Sequence, residues 1–108
     1  RRSVLEVHRE GRYVVLPTGE SVDLSRRRAP RLIFWRLVQQ YRDASAEALS
    51  WTELQEAGWP EERMGYESGR SRVYVAIHTL RKMGFDSVLT RQDDGYLINS
   101  DVQVDVRE

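Results

Sequence analysis

Three short strand-like stretches stand at the start of the chain, and in the first of them apolar and polar residues alternate. The first runs from Ser3 to Arg9 and has the pattern of a half-buried strand. A Glu10-Gly11 turn signal separates it from a second stretch at 13–16, and the segment 17–20 separates that from a third at 21–24. Residues 1–24 are therefore predicted to form a small antiparallel β meander.

The spacing of apolar residues then changes to that of helices. Residues 32–41 are almost continuously apolar, which predicts a central helix buried on most sides, with Ser25 as N-cap and Pro30 in the first turn. A short second helix opens at Ser50 with capping-box spacing and ends at Gly58 and Pro60. The segment 60–69 contains two glycines and four charged residues, and is predicted to be a loop.

A third helix is predicted from Arg70 to Gly84, where the pattern is amphipathic. At about 100° per residue, Val73, Ile77 and Leu80 fall on one side. The other side carries mostly polar residues, namely Ser71, Arg72, Val75, His78, Thr79 and Lys82. Gly84 stands where the end of a helix favours a left-handed residue.

The last part of the chain has the pattern of a β-hairpin. Strand-like stretches at 87–91 and 96–100 flank Gln92-Asp93-Asp94-Gly95, and Asp-Gly is a strong hairpin signal. The expected fold class is α+β in a single domain. Its parts are the meander (1–24), a three-helix core (25–84), the hairpin (85–100) and a tail or extra strand (101–108).

Charge is balanced overall but segregated along the chain. Lys+Arg and Asp+Glu both total 17, yet the segment from Arg26 to Arg42 has no acid and the segment from Asp43 to Glu67 has a single arginine. A neutral total can therefore conceal a polarised surface. There is no cysteine and no apolar run long enough to span a membrane, so we predict a cytoplasmic protein. The chain does not begin with Met, which suggests a domain of a longer protein.

The sequence offers no support for catalysis or metal binding. His8 and His78 are the only histidines and are not spaced as paired ligands. The segment 65–71 has glycines but lacks the spacing and the lysine of a phosphate-binding loop. No pair of carboxylates stands out for acid–base chemistry. We expect no enzyme activity, no cofactor and no metal.

The order of these elements resembles the C-terminal effector domains of bacterial OmpR/PhoB-type response regulators, over roughly Val4–Asn99. The matching residues are Asp23-Leu24-Ser25, then Ser50, Leu54 and Trp59, then Val73-x-Val75-x-Ile77-x-x-Leu80-Arg81-Lys82, and finally Thr90, Gly95 and Tyr96. The resemblance implies a winged helix-turn-helix fold, with the hairpin as the wing. It also implies sequence-specific binding of double-stranded DNA in transcriptional regulation.

By the same resemblance, the third helix would enter the major groove and the wing would lie near the DNA backbone. The candidates for reading bases are Arg72, Val75, His78 and Thr79. The candidates for contacting phosphates are Ser71, Arg81, Lys82 and Arg91. Val75 could meet a thymine methyl group or an apolar patch on a partner, and base contact and simple solvation are equally compatible with His78.

A second hypothesis stays open, in which the winged-helix module binds another protein or a second copy of itself and does not bind DNA on its own. The zero net charge and the acidic hairpin tip favour it. In the family, the positions of Arg72, Ala76, His78 and Thr79 usually carry Thr, His, Arg and Arg, so this chain has fewer cations there. Four cations around the third helix favour DNA: Arg70, Arg72, Arg81 and Lys82.

Overall fold

A computed structural model describes residues 3–44, 46–63 and 65–107, which form an α+β domain. Within these ranges the chain has three α-helices and two β-sheets, of four and three strands. The elements are β1 (Ser3–His8), β2 (Tyr13–Val15), β3 (Ser21–Asp23), α1 (Arg28–Ala44), β4 (Leu49–Ser50), α2 (Trp51–Gly58), α3 (Tyr66–Leu80), β5 (Leu89–Gln92), β6 (Gly95–Ile98) and β7 (Val102–Arg107). No helix in the described ranges is both long enough and apolar enough to cross a bilayer.

The predicted antiparallel meander is present as β1, β2 and β3. It forms a sheet in the order β3-β2-β1-β7, and the tail of the chain is its fourth strand. β7 pairs with β1 in parallel, with Ser3 opposite Val102 and His8 opposite Arg107. Leu5 and Val7 of β1 are fully buried, so one face of this sheet closes the hydrophobic core.

Helix α1 crosses the centre of the molecule. It begins at Arg28 with Pro30 in its first turn, as predicted, and buries Ile33, Phe34, Leu37 and Val38. The prediction that Ser25 caps this helix is wrong. Ser25 lies ahead of the first turn, and its N–H and hydroxyl both donate hydrogen bonds to Asp23 Oδ1, at 2.9 and 2.6 Å. These hydrogen bonds lower the pKa of the Asp23 carboxyl group.

Helices α2 and α3 follow the predicted periodicity but not all of the predicted limits. Ser50 caps α2 in a capping box with Glu53, as predicted. α3 begins at Tyr66 rather than at Arg70, so the second half of the predicted 60–69 loop is helical. α3 ends at Leu80 and continues into a wide helical turn, Arg81–Phe85. In that turn Gly84 has the expected positive φ, 112°.

The second sheet holds the predicted hairpin and has the order β4-β6-β5. Gln92 pairs with Gly95 across the turn, and the positive φ of 55° occurs at Asp93 rather than at Gly95. Gly95 is required for a different reason, because a Cβ at this position would overlap the carbonyl group of Leu49 in β4. This close approach holds the hairpin against the strand that leads into α2.

The phase of α3 can be tested by comparing one buried and one exposed aliphatic residue. Ile77 is 2% exposed and Val75 is 60% exposed. We expect Ile77→Ala to lower the free energy of unfolding by about 2–5 kcal/mol, because it leaves a cavity in the core. Val75→Ala should change it by less than about 0.5 kcal/mol. Urea denaturation measures both, and equal losses would contradict the assigned phase.

Candidate nucleic-acid interface

The packing of α3 determines which residues it presents to solvent. Val73, Ala76, Ile77 and Leu80 are buried against the core, as the apolar pattern predicted. The opposite side is exposed, and we call it the outer face of α3: Tyr66, Arg70, Ser71, Arg72, Tyr74, Val75 and His78. Thr79 is half-buried at its margin.

A stripe of aromatic and basic side chains runs along this outer face at intervals of four residues. It consists of Tyr66, Arg70, Tyr74 and His78. The Arg70 guanidinium donates a hydrogen bond to the Tyr66 hydroxyl at 2.9 Å, and the rings of Tyr74 and His78 are stacked, with centroids 6.4 Å apart. Sequence reasoning missed Tyr66 and Tyr74. The four-residue spacing, continued backwards across the assumed loop, was the signal that could have identified them.

Two arginines of α3 lie over tryptophans at the two ends of α2. The Arg70 guanidinium is 5.9 Å from the ring centroid of Trp51, and that of Arg72 is 5.9 Å from the ring centroid of Trp59. Both distances are within the range of a cation–π interaction. These contacts extend the two arginines over α2, which reduces their reach into solvent.

The same two arginines hold carboxylates of their own chain. Arg72 Nη1 is 2.9 Å from Glu62 Oε1, which belongs to the α2–α3 loop. Arg70 Nη2 is 3.6 Å from Asp94 Oδ1 at the tip of the hairpin. The hairpin tip is therefore close to the first half of α3, and its acidic character offsets a cation of the outer face.

The predicted phosphate contacts fall into two groups. Arg81 lies in the turn after α3, where it bonds Asp86 Oδ1 at 2.8 Å and is 30% exposed. Ser71, Lys82 and Arg91 are exposed. In the described part of the chain, neither Lys82 nor Arg91 has an ion pair within 4.0 Å, so both ammonium and guanidinium groups are available to an external anion.

A groove of about 300 Å³ separates the outer face of α3 from the start of α1. Ala29, Pro30, Trp59 and Val75 contribute apolar side chains to its lining. Ser71, Arg72, Ala76 and Thr79 complete the lining. Of the predicted base-reading residues, Arg72, Val75 and Thr79 thus share this groove, whereas His78 lies outside it on the aromatic stripe.

Three consecutive arginines directly precede Ala29 and Pro30, which line this groove. We call Arg26, Arg27 and Arg28 the basic rim; all three are exposed. Arg28 Nη2 is 2.9 Å from Glu61 Oε1. Behind the rim, burial lowers the pKa of Arg31, and the positive charges of Arg12 and Arg28 lower it further, against the opposite effect of Glu10. Arg12 and Arg28 therefore repel Arg31 in the folded state.

The ion pair between Arg72 and Glu62 should contribute little to stability. Both side chains are about half exposed, so solvent screens their attraction. We expect Glu62→Gln to change the free energy of unfolding by less than about 1 kcal/mol. Glu56→Gln, an exposed position on α2, is the matched control in urea denaturation. A loss of more than about 2 kcal/mol, seen only at Glu62, would mean that this pair holds the α2–α3 loop in place.

Comparison with known proteins gave no further assignment. No protein-family model matches the chain, and no curated protein is significantly similar to it. What the outer face of α3 binds must therefore be inferred from its own residues and their surroundings.

Proposed function

We propose that this domain is a winged helix-turn-helix module that binds double-stranded DNA in transcriptional regulation. In this proposal α2 and α3 are the helix-turn-helix pair and the β5–β6 hairpin is the wing. The observation that carries it is the exposed outer face of α3, which has the hairpin tip on one flank and the start of α1 on the other. An α-helix is about 10–12 Å wide with its side chains, which matches a major groove roughly 12 Å wide.

The outer face has chemistry suited to base edges. Val75 projects a branched apolar side chain that fits against a thymine methyl group, and it is 60% exposed. Ser71 and His78 supply hydrogen-bonding groups on either side of it. Arg72 and Thr79 are less available for this role, since Arg72 holds Glu62 and Thr79 is half-buried.

Phosphate contacts would come first from cations that hold no carboxylate. Among the described cations of α3, the turn after it and the hairpin, Lys82 and Arg91 meet this condition, whereas Arg70, Arg72 and Arg81 are each paired within the chain. Because each phosphate contact adds about −0.9 to the slope of log K against log salt, few contacts mean weak, salt-dependent binding. The domain alone is therefore expected to bind duplex DNA weakly.

The DNA proposal is tested by fluorescence anisotropy with a random-sequence duplex at low and moderate salt. We expect binding that weakens as salt rises. Lys82→Glu should reduce affinity at least several-fold and reduce the magnitude of the slope of log K against log salt by about 1. Arg42→Glu, an exposed cation at the far end of α1, is the charge-matched control and should have little effect. Absence of binding at low salt, or binding independent of salt, would contradict the proposal.

A second candidate function is protein binding through the same face. Three exposed apolar or aromatic side chains favour it: Tyr66 (64% exposed), Tyr74 (63%) and Val75 (60%). The intramolecular pairing of Arg70 and Arg72 favours it as well, because it leaves the middle of the face with little net charge. Aromatic side chains beside an apolar groove are typical of protein-binding surfaces. On this hypothesis a protein partner or a second copy would cover α3.

The hairpin tip distinguishes the two candidates. Asp93→Asn with Asp94→Asn removes two charges, and Asn tolerates the positive φ at position 93. If the wing approaches DNA, we expect several-fold tighter binding at low salt, because the variant removes repulsion from the phosphates and releases Arg70 from Asp94. The gain should shrink as salt rises, because salt screens both effects. Glu56→Gln with Asp101→Asn is a control with the same change in net charge at other exposed positions. Unchanged affinity in the tip variant would show that the wing does not approach DNA.

A further inference from the structure

The basic rim lies across the groove from the outer face of α3. Ala29 and Pro30, which follow the rim directly, line the groove together with Ser71 and Val75. Arg27 is two residues from Ala29, so their Cα atoms are within about 7 Å of each other. A rod-shaped ligand seated on α3 would therefore pass beside the rim.

Most of the positive charge of the rim has no carboxylate partner among the described residues. Within the described ranges, Arg26 and Arg27 form no ion pair within 4.0 Å, and Arg28 shares one carboxylate, that of Glu61. Asp23 and Glu10 have other partners. Asp23, which interacts electrostatically with Arg26, accepts two hydrogen bonds from Ser25, and Glu10 lies 3.5 Å from Arg12.

The position of the rim is electrostatically unfavourable for the domain by itself. The first turn of α1 contains no acidic residue, and cations at this end of a helix are repelled by the helix dipole. Arg28 also lies near Arg31, which it repels. Positive charge that the fold neutralises only in part, beside a proposed DNA-binding helix, fits a partner that is itself a polyanion.

We propose that the basic rim is a second phosphate-contacting edge, which holds the DNA backbone on the side of α3 opposite the hairpin. This inference rests on the proposed DNA-binding function and adds to it a second set of cations beside those of the turn after α3 and the hairpin. The acidic hairpin tip weakens contact with phosphates on the wing side. The phosphate contacts are therefore stronger at the start of α1 than at the hairpin. Arg26 and Arg27 contribute directly, and Arg28 contributes when Glu61 is displaced.

The test compares the two ends of α1 by anisotropy with the same random-sequence duplex. Arg27→Glu and Arg42→Glu make the same charge change at two exposed positions. Arg27 directly precedes α1, and Arg42 lies in the last turn of this 17-residue helix. The helix is about 25 Å long, which is more than two Debye lengths at 0.1 M salt. We expect Arg27→Glu to weaken binding at least fivefold, and Arg26→Glu with Arg27→Glu to lower the salt slope by about 2. Arg42→Glu should change affinity less than twofold.

Thermal melting of the same variants gives an independent readout. Because Arg27→Glu relieves repulsion at the start of α1, its melting temperature should stay the same or rise while DNA affinity falls. A lower melting temperature would contradict the inference, since the rim would then be a stabilising structural element.

The remaining outcomes separate the inference from the proposed function. If the wild-type domain binds DNA and Lys82→Glu weakens it, but Arg27→Glu behaves like Arg42→Glu, the rim is not a phosphate contact and the proposed function stands. If the wild-type domain does not bind duplex DNA at low salt, both fail.

Discussion

The burial of one side of α3 is the constraint on which the rest of this surface depends. Val73, Ile77 and Leu80 pack into the core, and this packing fixes the rotation of the helix about its axis. A rotation of one residue, about 100°, would bury polar side chains and expose the apolar stripe. With the rotation fixed, Arg70 and Arg72 lie over the two tryptophans of α2, and Val75 projects into solvent. The features of the outer face of α3 are thus consequences of core packing.

The balance of charge in the whole sequence is repeated locally on the outer face of α3. Acids from the α2–α3 loop and from the hairpin tip pair with the arginines of α3, so opposite charges meet on the same face. A binding surface of this kind gains little from long-range attraction and depends more on shape and on short-range contacts. In the described part of the chain, the cations near this face that have no ion pair include Lys82, Arg91, Arg26 and Arg27. If this surface binds DNA as proposed, its middle would discriminate between partners and its margins would supply affinity.

Local patterns predicted much of the fold, because periodicity and capping are properties of neighbouring residues. The phase of α3, the Ser50–Glu53 capping box and the hairpin position all follow from such patterns. The start of α3 did not, because Gly69 resembles a loop residue but is buried inside the helix, where any Cβ would overlap Gln55. The pairing of Arg70 with Asp94 joins distant segments and has no periodic signature. The candidate site was therefore predicted as a set of exposed residues, without the contacts that decide which of them are available.

The parallel pairing of β1 with β7 has a consequence for the order in which the domain can fold. It joins the first and last described segments, so nearly the whole chain forms the loop that must close. Contacts of such large sequence separation carry a high entropic cost and tend to slow folding. During synthesis β1 has one unpaired edge until β7 has left the ribosome. The helices and the hairpin can form before then, and the sheet is completed last.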